Sequence, residues 1–320
     1  MGMFRLLSRV FVLAVAGVWL AAAASSVAWS EPASDTPPPV DVKVGIVLLN
    51  VGRLDLNTGT YTMDFYLVFS CDQPCDPERF EFTNGRPMSI KKQDDTPTLK
   101  IFRVQAAFNE NLPLHEYPFD KHTLTIALED ELLGSAQLRY AVDRDGTAID
   151  RDVIIAGWDL DPNWDARVEE HYYEAFKQSF SRYIFTIRIQ KPPLSVILKV
   201  MVPALAMLFT GFLALLIQTE ESKASRVVNR ITISTSALTA TILFYVNLTT
   251  SIPPVGYLTF ADRFMIINIV ALSGVVASSA MLLLLEDRAE DATIHRWHRV
   301  FMGLVPASWV GMQAVNWLAR

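Results

Sequence analysis

Thr232, Ser236, Thr239, Leu243, Val246 and Thr250 recur at intervals of three and four residues. At about 100° per residue, that spacing places all six on one stripe of a helix, with Asn247 at its edge. A hydroxyl that faces water replaces part of an ion's hydration shell, which is the chemistry of an ion pathway. Ser234, Thr235 and Thr241 lie off the stripe. They fit the other common use of hydroxyls in apolar helices, bonding to their own backbone or to a neighbouring helix. The stripe alone leaves both uses open. A single stripe cannot enclose a pore, so the first use requires several copies of the chain around an axis.

Other reactive residue types are sparse. His115, His122 and His171 occur without a nucleophile elbow, a paired metal motif or a glycine-rich phosphate loop. This argues against an enzyme, and neither a cofactor nor a metal is expected. Cys71 and Cys75 flank a proline in SCDQPCD. They are poor metal ligands without a nearby His or Cys partner, and in an oxidising compartment they are expected to close a tight disulfide loop. The net charge is −6 and no basic run tracks phosphates, so nucleic acid is not an expected partner.

The elements around these residues divide the chain. Residues 1–30 read as a signal peptide. Arg5 and Arg9 precede an apolar stretch from Phe11 to Ala24, and Ala28-Trp29-Ser30 supplies small residues for cleavage. The competing reading is a further membrane helix, for which the stretch is short. Residues 31–39, with Pro37-Pro38-Pro39, read as a linker. From Val40 the pattern alternates. Val42, Val44, Ile46 and Leu48 form one set, Tyr61 to Phe69 a second, Leu124 to Leu128 a third and Tyr183 to Ile189 a fourth. These are half-buried strands, with turn signals at Asn57-Thr58-Gly59 and Asp145-Gly146. Residues 40–192 are therefore expected to form an antiparallel β-sandwich.

Residues 193–320 carry four apolar stretches long enough to span a bilayer, at about 194–217, 231–250, 264–285 and 300–319. The expected fold class is a β-sandwich extracellular domain followed by a four-helix transmembrane bundle. Lys223, Arg226 and Arg230 follow the first stretch, and Arg288, Arg296 and Arg299 follow the third. Both basic links lie on one side, which the positive-inside rule makes cytoplasmic. The protein is thus expected in the inner cell membrane, multi-pass, with its β-domain on the periplasmic or extracellular side and the bilayer as a partner.

Three groups of residues then resemble the prokaryotic branch of the pentameric ligand-gated ion channels, the Cys-loop receptor superfamily. Glu116-Tyr117-Pro118-Phe119-Asp120 is similar to the family's loop signature and precedes a strand. Lys191-Pro192-Pro193 with Pro203 looks like the entry to its first membrane helix. Arg230, the hydroxyl stripe and Ser251-Ile252-Pro253 look like its pore helix, with Tyr257-Leu258-Thr259 and Asp262 following as in bacterial members. Lys191 stands where the family carries Arg, and the flanking cysteines of the loop are absent.

The resemblance implies a homopentamer of identical subunits conducting inorganic ions, with cations preferred. The stripe of Thr232, Ser236, Thr239, Leu243, Val246 and Thr250 would line the pore, with Leu243 and Val246 as its apolar constriction. Pro118, Phe119, Asp120, Lys191 and Pro253 would form the gating junction. A small-molecule agonist of unknown identity would bind between subunits, near the hairpin carrying Tyr172, Tyr173 and Phe176. Those rings are able to cage an ammonium, or they are ordinary packing aromatics. Glu129 and Glu131 would hold an amine or a divalent cation, or belong to a solvated charge run. The alternative function is a non-conducting membrane sensor or assembly subunit on the same fold.

Overall fold

The computed structural model describes residues 38–216, 223–286 and 291–319. The expected signal peptide, most of the linker, Ile217 and the link residue Arg288 lie outside the described residues. Ten strands come first: β1 (Val40–Val51), β2 (Thr60–Cys71), β3 (Phe80–Phe82), β4 (Gly85–Asp95), β5 (Leu99–Asn109), β6 (Lys121–Asp130), β7 (Leu138–Val142), β8 (Ala148–Ile149), β9 (Asp159–Tyr173) and β10 (Gln178–Gln190). One sheet runs β4-β5-β2-β1-β7, with β8 beside β1, and the other runs β3-β6-β10-β9. The neighbours are antiparallel except for β7 and β8 against β1.

Alternation explains how the sheets close. Val42, Val44, Ile46 and Leu48 of β1 and Phe65, Leu67 and Phe69 of β2 are fully buried, as are Leu124, Ile126 and Leu128 of β6. They meet Tyr183, Phe185 and Ile187 of β10 in one core. Because side chains alternate with a period of two, each strand gives one face to that core. Gly59, at φ +67°, turns β1 into β2.

The helices follow: α1 (Pro193–Ala214), α2 (Lys223–Thr249), α3 (Phe260–Glu286) and α4 (Asp291–Leu318). Residues Ile197–Met201 of α1 form a π-turn, closed by the Val202 N–H on the Ile197 carbonyl. It directly precedes Pro203, which has no N–H to continue the α-ladder. α2 lies against α1 and α3, and α3 against α4. Gly211 of α1 sits where a β-carbon would overlap Leu272 of α3, which allows the close approach of these helices.

Among the described residues, α1, α2 and α3 are long and apolar enough to cross a membrane. The fourth stretch forms a helix, but a longer and more polar one than the sequence reading. It begins at Asp291, before His295, Arg296, His298 and Arg299, and carries Gln313 and Asn316 near its end. Gln313 and Asn316 are buried. α4 therefore presents part of its polarity to the bundle instead of to its surroundings.

Candidate functional site

The α2 stripe lies on one exposed face of the subunit. Thr232, Ser236, Thr239, Leu243, Val246 and Thr250 are all exposed, with Leu243 at 65% and Val246 at 51%. The opposite face is buried through Ser234, Ala237, Thr241 and Leu248. Hydroxyls on both faces bond to their own backbone. Buried Ser234 and Thr241 donate to the carbonyls of Arg230 and Ala237 at 2.8 Å. On the stripe, Thr232 donates to the Val228 carbonyl at 2.9 Å, Ser236 to the Thr232 carbonyl at 2.8 Å and Thr250 to the Asn247 carbonyl at 3.0 Å. A hydroxyl whose proton is held by the backbone keeps its lone pairs free. The exposed face thus offers acceptors flanking two large apolar side chains.

The loop between β5 and β6 joins the β-rich domain to the helices. A helix leaves its first N–H groups without intrahelical partners. At the start of α3, Phe260 N–H donates to the His115 carbonyl at 3.0 Å and Ala261 N–H to the Tyr117 carbonyl at 2.9 Å. Asp262 Oδ2 accepts from Thr259 N–H and from Thr259 Oγ1, both at 2.8 Å, completing the cap. The loop is therefore hydrogen-bonded into the start of α3. Its side chains follow the same path. His115 stacks on Tyr257 with ring centres 3.8 Å apart, and the Tyr257 hydroxyl accepts from Leu114 N–H at 2.8 Å. Phe119 reaches Phe260 and Trp317 at 5.9 and 6.0 Å between centres. The Tyr117–Pro118 peptide is cis.

Asp120 and Lys191 meet where β6 begins and β10 ends. Lys191 N–H donates to the Asp120 carbonyl at 2.9 Å. The Lys191 ammonium stands 4.0 Å from the centre of the Trp158 ring, a cation–π contact. Burial lowers the Lys191 pKa, against the pull of the Asp120 carboxylate. His122 also packs against Trp158, 5.2 Å between ring centres, and is buried. Neither of its nitrogens has a hydrogen-bond partner among the described residues. Burial, and then the charge of Lys191, pushes its pKa down to about 4. Pro253 occupies a different part of the junction. It lines a crevice of about 450 Å³ with Asn57, Thr58 and Gly59 of the β1–β2 turn. Phe119 thus packs on Phe260 and Trp317, Asp120 and Lys191 meet at the end of β10, and Pro253 lines the crevice beside the β1–β2 turn.

Only Glu131 of the acidic run is solvated. Glu129 and Asp130 are 1% and 2% exposed. The β6–β10 register pairs Leu128 with Tyr183, which sets Arg182 opposite Glu129. Arg182 Nε donates to Glu129 Oε1 at 2.6 Å, and the Tyr173 hydroxyl donates to Glu129 Oε2 at 3.0 Å. Asp130 Oδ1 accepts from the N–H groups of Leu132 and Leu133 as the chain leaves β6. Glu129 therefore already has a cationic partner within its own subunit, while Glu131 is exposed. Tyr172 and Phe176 project from the β9–β10 hairpin, and Tyr173 is packed among His171, Phe176 and Phe180. Cys71 and Cys75 are joined by a disulfide, with Cα atoms 6.3 Å apart. Among the described residues no group of three or more His, Cys, Asp or Glu is placed to hold a metal.

Sequence reasoning missed Trp158 and Arg182. Both act through partners more than 30 positions away, and only strand register brings them together.

No family model matches this sequence. A proton-gated ion channel from Gloeobacter violaceus is 23% identical over 263 residues, covering 72% of this chain and 71% of that channel. Its similarity supports a non-enzyme reading. The resemblance to prokaryotic pentameric ligand-gated channels, drawn from short motifs, is therefore matched along most of the chain by a relative that is itself an ion channel.

Proposed function

We propose that this chain is one subunit of a homopentameric ligand-gated ion channel in the inner cell membrane. Residues 1–30 are a signal peptide, 31–39 a linker, 40–192 an exported domain and 193–320 a channel domain of four membrane helices. The pore is lined by Thr232, Ser236, Thr239, Leu243, Val246 and Thr250, and it prefers cations. One observation carries the reading: a long apolar helix buries one face against its own subunit and leaves the opposite face, with hydroxyls flanking Leu243 and Val246, uncovered. Five such faces around an axis make rings. Hydroxyl oxygens whose protons point back to the helix suit a cation, and the rings of Leu243 and Val246 close by dewetting. Pro118, Phe119, Asp120, Lys191 and Pro253 couple the domains. Tyr172, Tyr173, Phe176 and Glu131 lie near the agonist site, where Glu129 acts through Tyr173.

Planar-bilayer recording tests this. Because the relative is proton-gated, acidification of the β-domain side is the first stimulus to apply. Currents whose reversal potential follows the cation gradient are expected, and Thr239→Phe should reduce the unitary conductance several-fold. A protein that inserts and assembles but passes no current at any pH or with any screened ligand would remove the channel reading. An unchanged conductance in Thr239→Phe would remove the register.

A further inference from the structure

Two turns into α4, four polar residues stand within five positions, and one of them is turned inward. His295, Arg296 and Arg299 are exposed, whereas His298 is 6% exposed. Its Nε2 lies 2.8 Å from the carbonyl oxygen of Leu215, the residue that ends α1. The last carbonyls of a helix have no intrahelical donor. A carbonyl only accepts, so in the neutral ring Nε2 carries the hydrogen and Nδ1 is the nitrogen that gains or loses the second proton.

The contact lies on a seam of helices. Leu215 packs with Val275 of α3 and with Val305 of α4, and Phe212 of α1 rests against them. Val305 is two turns beyond His298 and so on the same side of α4. At this level α1 and α3 thus present apolar residues. The charged or titratable groups that act on the imidazole are Arg230 of α2, itself buried, and His295 of its own helix. Among the described residues, no carboxylate lies within ion-pair distance of His298. Arg230 stands two residues before Thr232, at the foot of the hydroxyl stripe. Because α1 starts beside the end of β10 and runs to Leu215, this seam is at the far end of the helices from the β-rich domain.

We propose that His298 is a pH-sensitive latch on the membrane face away from the β-rich domain. Neutral, it pins the base of α4 to the end of α1, beside Arg230 at the foot of α2. Protonated, it releases the base of α4. The carbonyl end of α1 attracts a cation, but a helix end offsets only part of what a buried charge loses on leaving water. Arg230 adds repulsion, and it cannot give up its own proton. With no carboxylate to pair with, the charged ring is better placed in water, which it reaches when the base of α4 swings out. A released imidazole titrates at about pH 6.5. The latched state holds the neutral ring, so the latch is fully closed above about pH 6.5 and is progressively lost as pH on that side falls below it. The side rests on the membrane topology proposed above, whereas the latch does not require that the pore conduct.

Hydrogen–deuterium exchange of the full chain in nanodiscs, corrected for the intrinsic pH dependence of amide exchange, reads the latch without any current. In wild type, exchange at the base of α4 should accelerate about five-fold from about pH 7.5 to about pH 5.5. His298→Gln keeps an N–H donor and does not titrate, so exchange should stay slow at both pH values. His298→Ala has no donor and should exchange fast at both. His295→Gln, at an exposed position, should keep the wild-type response. Size-exclusion profiles and melting temperatures report whether the variants are folded. Exchange in wild type that ignores pH would overturn the proposal, as would an undiminished response in His298→Gln. Loss of the response in His295→Gln would make the exposed histidine the sensor and overturn it too. So would equal acceleration in peptides of β2, which would report a general loosening of the chain. A protein that latches in this way but never conducts would remove the channel reading and leave the latch standing.

Discussion

The β-rich domain and the helical region solve the same burial problem in opposite ways. The two sheets enclose one continuous core in which Phe65, Phe69, Tyr183 and Phe185 are fully or almost fully buried within a single subunit. The described helices divide their buried residues among three small clusters. They leave Leu198, Phe209, Leu243, Val246, Leu284 and Val315 exposed. In water such a surface would be an aggregation hazard. In a bilayer it costs nothing, because lipid tails are as apolar as leucine. The first region closes its core within one chain, while the exposed apolar surface of the second suits lipid and, in the proposed assembly, its copies.

Substitutions should separate these two kinds of surface. Phe65→Ala removes a fully buried ring, and a loss of about 3–5 kcal/mol is expected. Limited proteolysis or thermal unfolding would register it, and an unchanged melting temperature would mean that the sheets do not share that core. Glu129→Gln removes the near carboxylate of the mostly buried Arg182, leaving Glu169 at 3.9 Å, and should cost about 3 kcal/mol. If ligand binding changes while stability does not, Glu129 is a ligand contact after all. Reducing the Cys71–Cys75 bridge reopens a very short loop, so about 2 kcal/mol is the expected cost. Thermal melts with and without reductant would measure it. Leu243→Ala is the counterpart on the helical side. With 65% of its surface exposed, Leu243 should contribute under about 0.5 kcal/mol to subunit stability. Its effect should appear in conductance or gating, and a large loss of folding instead would place it in a core.

A further test of the β-rich domain uses pH. His122 titrates at about 4 in the folded chain, below the ordinary histidine range near 6.5. The unfolded chain therefore binds the extra proton first as pH falls. Stability associated with neutral His122 is fully present above about pH 6.5 and is lost as pH falls towards 4. His122→Phe, beside Trp158 and Lys191, should flatten the pH dependence of unfolding in that window. An unchanged slope would assign acid sensitivity to other groups.

Much of this division was legible in the sequence. Residues of β1, β2, β6 and β10 announce themselves by alternation, because each gives one face to a single core. The α2 stripe was legible because the helical period sorts Thr232 to Thr250 from Ser234 and Thr241. Strand β4 was not, since its charged, exposed residues from Lys91 to Asp95 gain order only by pairing with β5. The Glu129–Arg182 pair was hidden for a related reason. Its residues lie 53 positions apart and meet only when the β6–β10 register is known. The fourth helix starts at Asp291, before the expected span, and its polar side chains turn to α3: Asn268 Oδ1 accepts from Trp309 Nε1 at 2.8 Å and from Gln313 Nε2 at 3.1 Å.

Strands β6 and β10 have a mechanical consequence. One starts at the loop that caps α3, and the other ends at Gln190, just before α1 begins at Pro193. They are neighbours in one ladder, tied at its last rung by the Lys191–Asp120 backbone bond. Sliding one strand past the other would break that ladder, whereas tilting the pair together breaks none of it. A tilt of the pair that keeps this ladder intact would move the starts of α1 and α3 together.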